Sequence, residues 1–330
     1  MLIRCRGTGF AGELTGYRGP SIGPIGKTSM RHTGVRLAMA VVVAAVVVAT
    51  GVLAVVLGHG RGVALPMSAV GDYVALGDSY VAGPGIPSTT GVPLSCGRSS
   101  NDYPSLVRVA VHASAFTDAS CGGATTGNMT APQTTRTGPN PPQLDAVTSR
   151  TRLVTVTIGG NDIGFTDIIN QCLSRSAGQP GGAACRGYFN RSGSDLLAQR
   201  IAATAPKVAA VLTRIKERAP SAKVLLVGYP TLFPAGAGGC PEAPFSAGDT
   251  AYLNQTFQSL NAMLRTQAGV VGARFVDTAE SSTGHDICTP ARTRWIEGRN
   301  PTSPAAAFHP NTLSMRNTAY QVVEALDAVP

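Results

Sequence analysis

The sequence predicts an α/β protein: a parallel sheet with helices on both faces. Three observations carry this. Strand-like and helix-like runs alternate from about Tyr73 to the C-terminus, the pattern expected of strand–helix–strand units. Most of the strand-like runs are short and mainly apolar or β-branched rather than alternating strictly, as in strands buried on both faces. Several of them lead into glycine-containing turns, at Gly77, Gly122-Gly123 and Gly159-Gly160.

In chain order, Tyr73 to Leu76 is a short strand ending at Gly77. Tyr103 to Ala113 has helical character, and Ala115 to Ala119 is a second strand leading into Cys121-Gly122-Gly123. Leu153 to Ile158 is a β-branched run that stops at Gly159. Leu196 to Arg218 reads as a long Ala/Leu/Val helix closed by Pro220, and Lys223 to Val227 as another buried strand. Thr250 to Gln267 is a helix, Arg274 to Val276 a strand, and Asn311 to Ala328 a last helix. The Pro/Thr/Gly-rich stretch Pro132 to Gln143 is expected to be a surface loop, as are 178–186 and 235–248. In open parallel sheets ligands gather at the carboxyl ends of the strands, where the three glycine segments fall.

The front of the chain differs in kind. Residues 1–36 are rich in Gly and Arg and lack periodicity, which predicts a disordered basic tail. Leu37 to Leu57 is uncharged and almost wholly Val, Ala, Leu and Met, about the 20 residues that span a bilayer. Lys27, Arg31 and Arg36 precede it, so the tail is expected in the cytoplasm and the rest outside. Either a signal-anchor or a cleaved signal peptide fits. A start at Met30 would give the compact basic region of a signal, whereas the apolar run exceeds the roughly 7–15 residues of a signal core. Residues 58–70 then read as a linker and 71–330 as the folded domain, long enough for a sizeable core. Two motifs in the tail are discounted. Gly7 to Gly12 matches G-x-G-x-x-G and Gly19 to Gly23 matches G-x-S-x-G, but neither follows a strand, which both require.

The net charge of +9 resides mainly in that front. Residues 1–63 hold seven Lys/Arg and one Glu, and the remaining 20 Lys/Arg face 17 Asp/Glu. A nucleic-acid partner has little support from so balanced a domain. Cys5 lies before the apolar run, and Cys96, Cys121, Cys172, Cys185, Cys240 and Cys288 lie beyond it. Six cysteines in an exported domain read as disulfides, with sequential pairing the simplest of the 15 arrangements. No C-x-x-C spacing or Cys/His cluster points to zinc, and neither a metal nor an organic cofactor is expected.

Four separated segments together supply what acyl transfer needs. They are Gly77-Asp78-Ser79-Tyr80, Gly122-Gly123-Ala124-Thr125, Gly159-Gly160-Asn161-Asp162 and Phe308-His309-Pro310-Asn311. Ser79, exposed at a strand end, fits a nucleophile whose own N–H faces a developing oxyanion; its plain alternative is a helix cap. Asn161, after two glycines that let the backbone turn sharply, fits a side-chain donor; it is otherwise a turn residue. Gly123 fits a backbone donor, or is simply a loop glycine. Of the five histidines, His32 and His59 flank the apolar run, His112 sits in a predicted helix, and His285 adjoins Asp286. His309, held before Pro310, is the expected base.

With Ser, Gly, Asn and His in this order, the domain resembles the SGNH (GDSL-type) hydrolases over roughly Tyr73 to Ala328. The six cysteines further resemble the secreted actinobacterial esterase, lipase and phospholipase A1 branch, whose members have three sequential disulfides. The resemblance implies a flavodoxin-like three-layer α/β/α sandwich with a central parallel sheet. It also implies ester hydrolysis, with Ser79 as nucleophile, His309 as base and Ser79, Gly123 and Asn161 as oxyanion hole. The disulfides it implies are Cys96–Cys121, Cys172–Cys185 and Cys240–Cys288. Two departures stand out. Tyr80 replaces the usual Leu, and Ala306 occupies the place of the Asp that usually precedes the histidine by three residues. A main-chain carbonyl near Ala306, as in some members of that branch, or Asp286 reaching across, would then orient the imidazole.

The expected protein is an extracytoplasmic serine esterase or lipase, anchored by 37–57 or secreted, acting on ester or lipid substrates as a monomeric catalytic domain. A carbohydrate O-acetyl esterase is the alternative within the enzymes, and a catalytically weak envelope-binding module the alternative outside them.

Overall fold

The computed structural model describes residues 69–191, 193–236 and 243–327. The predicted tail, the apolar segment 37–57, most of the linker and Cys240 lie outside the described residues. Among the described residues no helix is long and apolar enough to cross a membrane.

Five strands, β1 (Asp72–Gly77), β2 (Ala115–Asp118), β3 (Thr151–Thr157), β4 (Lys223–Val227) and β5 (Arg274–Val276), form one sheet in the order β2-β1-β3-β4-β5. Every pairing is parallel. This is the flavodoxin-like doubly wound order, in which the direction of winding reverses between β1 and β3. The crevice at that reversal is where such sheets place their ligands.

The uninterrupted apolar strands follow from burial on both faces. On β1, Val74 and Leu76 enter one core while Tyr73 and Ala75 enter the other. On β4, Val224 and Leu226 divide from Leu225 and Val227 in the same way. The first core is covered by α5 (Leu196–Arg218) and α6 (Ala247–Val271), through Val208, Leu212, Phe257 and Leu260. The second is covered by α2 (Tyr103–Ala110) and α8 (Thr312–Asp327), through Tyr103, Val107, Met315 and Val322. Helix starts are set by acidic caps. Asp102 accepts from the Ser105 N–H, and Asp195 accepts from the Leu197 and Ala198 N–H groups.

The predicted strands and long helices are present, with ends displaced by a few residues. The short helix α1 (Ser79–Ala82) follows β1 directly, and α7 (Thr278–Ser281) follows β5. Two further helices fall where no helix was expected. In α3 (Phe165–Ser176), Phe165, Ile168, Ile169 and Cys172 recur at helical spacing and are buried. The helix α4 (Ala184–Phe189) occupies part of the segment read as the loop 178–186. Its local sequence is weak, and tertiary contacts hold its start. Asp249 on α6 accepts from the backbone N–H of Cys185 and Arg186, and Cys185 is disulfide-bonded to Cys172 on α3. The stretch Pro132 to Gln143 is largely irregular, as expected, with a single bridge between Gln133 and Asn140.

Candidate active site

The site lies at the carboxyl end of the sheet, at the winding reversal. Ser79 follows β1 and Asn161 follows β3. Gly77 ends β1 with φ +142° because a side chain there would drive into the next strand: a Cβ would lie 2.3 Å from the Thr157 carbonyl oxygen. The amide of Gln143 clamps this turn, accepting from the Gly77 N–H at 2.7 Å and donating to the Gly77 carbonyl at 2.8 Å.

Asp78, not Ser79, is the N-cap of α1; its Oδ1 accepts from the Tyr80 N–H at 2.9 Å. The serine hydroxyl is therefore released from capping. Its Oγ lies 2.8 Å from His309 Nε2, while His309 Nδ1 lies 2.7 Å from the Ala307 carbonyl oxygen. A carbonyl can only accept, so Nδ1 carries the proton in the neutral ring and Nε2 is left to accept from the serine. The Ala307 carbonyl thus occupies the place of a triad carboxylate. Asp286 does not reach across; its Oδ1 accepts from the Cys288 N–H within a local turn. The competing His285 is stacked on Trp295 at 3.8 Å, with Nδ1 on the Thr293 carbonyl.

His309 sits on a loop pinned from both sides. Phe308 adopts φ +61°, uncommon for a residue with a side chain. Two bonds hold it there: the Tyr80 hydroxyl donates to the Phe308 carbonyl at 2.8 Å, and the Phe308 N–H donates to the Glu297 carbonyl. The Glu297 N–H in turn donates to the His309 carbonyl. Asn311 Nδ2 donates to the Arg294 carbonyl and to Glu297 Oε1, at 2.9 and 2.8 Å. Burial raises the Glu297 carboxyl, but bonds from Asn311 and from the Thr302 and Ser303 N–H groups outweigh it and hold the group below its ordinary value. The imidazole packs against the rings of Tyr80 and Phe165, with centroids at 5.3 and 6.0 Å. Loss of water there lowers its pKa below 6.5, against the raising effect of the bond to Ala307.

Further donors lie on the turns around Ser79. Among the described residues, the N–H groups of Ser79 and Gly123 have no acceptor. Asn161 Nδ2 spends one hydrogen on the Ala124 carbonyl at 2.9 Å, tying the two loops together, and keeps the other. Gly122 passes beside the nucleophile, where a Cβ would lie 3.9 Å from Ser79 Cβ. A small cavity is lined by Asp78, Ser79, Tyr80, Gly160, Asn161, Phe165 and Tyr229. N–H donors on Ser79 and Asn161, which line one pocket beside a serine–histidine pair, can stabilise negative charge on an attacked carbonyl oxygen.

Three supporting residues carried no motif in the sequence. Tyr229, at the end of β4, donates its hydroxyl proton to Asp78 Oδ2 at 2.6 Å and accepts from the Gly160 N–H at 2.8 Å. It bridges the serine turn to the asparagine turn. The fit is close: a Cβ on Gly160 would lie 2.9 Å from the Tyr229 oxygen. Burial pushes the Asp78 carboxyl up to about 7, although the bonds from Tyr229 and Tyr80 lower it. Gln143 and Glu297 are the other two. Tyr229 carries one sequence signal: it lies just past the carboxyl end of a predicted strand, as Ser79 and Asn161 do. Among the described residues no cluster of three or more His, Cys, Asp or Glu side chains could hold a metal ion.

A doubly wound parallel sheet with a histidine-paired serine at its winding reversal defines an α/β serine hydrolase. The chain matches the GDSL-like Lipase/Acylhydrolase family over residues 75–316 and belongs to that family. It is 37% identical over 291 residues to Lipase 2 of Streptomyces coelicolor, covering 86% of this chain and 96% of that protein. It is 34% identical to a lipase of Streptomyces rimosus, over 71% of this chain and 80% of the other. Among solved structures, phospholipase A1 from Streptomyces albidoflavus NA297 superimposes with a TM-score of 0.64 at 28% identity, over 79% of this chain and 100% of that one. The extracellular lipase of Streptomyces rimosus gives 0.63 at 30% identity, over 77% and 98%. The protein is a carboxylic-ester hydrolase of the SGNH type.

Proposed function

We propose that this ester hydrolase works through an acyl-enzyme on Ser79, with His309 as general base. In the first half-reaction Ser79 Oγ attacks the ester carbonyl as its proton passes to His309 Nε2. The oxyanion is received by the Ser79 and Gly123 N–H groups and the free hydrogen of Asn161 Nδ2. The imidazolium returns its proton to the departing alcohol. In the second half-reaction His309 takes a proton from water, which attacks the acyl carbonyl and frees Ser79. The observation that carries this reading is the chain from Ser79 Oγ to His309 Nε2, 2.8 Å, and from Nδ1 to the Ala307 carbonyl, 2.7 Å. It offers a base of defined tautomer with no carboxylate partner, so Ala306 in place of Asp does not argue against activity.

Lipid esters are the proposed substrates, in keeping with relatives named lipase and phospholipase A1. The proposed location is outside the cytoplasm. Its support is the disulfides Cys96–Cys121 and Cys172–Cys185, the disulfide-bonded state of Cys288, and the extracellular Streptomyces rimosus lipase among the similar structures. Hydrolysis of p-nitrophenyl esters from acetate to palmitate, by the full-length protein and by Ser79→Ala, tests the reading. Loss of kcat by about 10³-fold or more in the variant is expected. A variant as active as the parent would overturn the assignment of the nucleophile. A preference for acetate alone would replace lipid esters by O-acetyl esters.

A further inference from the structure

The carbonyl that orients His309 is set by a turn. The His309 N–H donates to the Ala306 carbonyl at 3.2 Å, closing a four-residue turn with Ala307 and Phe308 at its centre. Of these two, Phe308 alone has a positive φ, +61°. That combination is a type II turn; a type I turn has negative φ at both central residues, and a type I′ turn positive φ at both. Types I and II differ by roughly a half-rotation of the central peptide, here the one joining Ala307 to Phe308. The left-handed φ of Phe308 is therefore what aims the Ala307 carbonyl at Nδ1, 2.7 Å away. A type I turn would point the same carbonyl away from the ring. The third position of a type II turn favours Gly or Asn, and a bulky side chain there is an outlier. Phe308 therefore needs to be held in place.

Backbone groups fix part of the turn. The Ala306 N–H donates to the Pro84 carbonyl at 2.8 Å, and the Phe308 N–H donates to the Glu297 carbonyl at 3.1 Å. A side chain grips the next peptide: the Tyr80 hydroxyl donates to the Phe308 carbonyl at 2.8 Å. Tyr80 directly follows the nucleophile on α1 and is buried. Its ring is wedged among those of Phe165, Tyr229 and His309, with centroids at 5.8, 5.1 and 5.3 Å, so the hydroxyl has a fixed position. Burial raises its pKa well above the ordinary tyrosine value, and the hydroxyl stays a donor. We infer that Tyr80 is a positioning residue for the base: its hydroxyl holds the turn 306–309 in the conformation that aims the Ala307 carbonyl at His309 Nδ1. The inference rests on the reading of His309 as base and names the side chain that fixes its tautomer. Without that carbonyl the ring can carry its proton on Nε2, and a protonated Nε2 cannot accept from Ser79.

Tyr80→Phe removes the hydroxyl and keeps the ring. In the full-length protein kcat for p-nitrophenyl butyrate is expected to fall about tenfold or more with KM within about twofold, as for a misplaced catalytic group rather than a lost substrate contact. The tautomer is read separately. Two-bond proton–nitrogen correlation spectra of isotopically labelled histidine, at a pH above the imidazole pKa, tell which ring nitrogen bears the proton, and His309→Gln assigns the His309 signals. The parent is expected in the Nδ1–H form and Tyr80→Phe as a mixture with Nε2–H. A kcat within about twofold of the parent, or a loss of kcat with the tautomer unchanged, overturns the inference. Phe308→Gly supplies an independent check, since glycine takes a positive φ without steric cost. In that background Tyr80→Phe is expected to lower kcat by less than about threefold. An equal loss in both backgrounds means that the hydroxyl does not act through the turn, which overturns the inference. The spectra need no turnover. A tautomer shift in Tyr80→Phe upholds the positioning even if Ser79 proves not to be the nucleophile, and an unchanged tautomer overturns it even if the nucleophile stands.

Discussion

As the proposed base, His309 must be neutral to accept the serine proton, and its surroundings favour that form. Burial against Tyr80 and Phe165 disfavours the imidazolium, so the pKa lies below 6.5. The active form therefore persists as pH falls through 6.5 and is lost only below it. Asp78, raised to about 7, is a second group that titrates close by, and Asp78→Asn removes it. In that variant the acid limb of kcat/KM for p-nitrophenyl butyrate is expected to have a midpoint under 6.5. A midpoint at or above 6.5, or a flat profile, would deny His309 its role as base. The same burial leaves the fold unaffected by this group above pH 6.5 and destabilises it as pH falls below 6.5, because an unfolded histidine gains a proton there that the folded one resists.

The loop that bears His309 is neither strand nor helix, and it is stapled to the segment 294–297. An isolated antiparallel bridge joins Ile296 and Pro310, and Glu297 exchanges backbone bonds with Phe308 and His309. The Asn311 side chain closes the staple on the Glu297 carboxylate. Asn311→Ala leaves that buried carboxylate short of a donor, which costs about 1.5–3 kcal/mol for a bond to a charged group. Urea unfolding of the variant is expected to show a loss of that size together with reduced kcat, since His309 is held by the same bonds. A stability change under about 0.5 kcal/mol would mean that the staple does not hold the loop. Helix α4 teaches the companion lesson. Its N-terminus rests on Asp249, 64 residues away from Cys185, so no local signal announces it.

At the scale of the molecule, the sheet holds the serine and asparagine turns side by side, and the disulfides fasten loops to that frame. Cys96–Cys121 closes a sequence separation of 25 residues and ends beside Gly122 and Gly123. A closed loop of that size contributes about 3–4 kcal/mol. Reduction is expected to lower the melting temperature of the full-length protein by well over ~5 °C and to lower ester turnover as the Gly123 loop loosens. An unchanged melting temperature in reductant, with free thiols verified by titration, would show that the fold does not depend on its cross-links.

The sequence by itself determined the fold class and the succession of strands and helices along the chain. Buried parallel strands are written as continuous apolar runs, and the glycine turns Gly77, Gly123 and Gly159 had to follow them. It also marked Ser79, Gly123, Asn161 and His309, because each sits in a short segment whose neighbours are constrained. The structure decided between the two orienters that the sequence left open for His309: the accepting group is the Ala307 main-chain carbonyl, next to the expected Ala306, and not Asp286. It alone decided that Tyr229 and Glu297 serve the site, since they meet Asp78 and Asn311 across 151 and 14 residues of chain. Local pattern records which face of an element is apolar; which distant side chains meet there is fixed by how the layers pack.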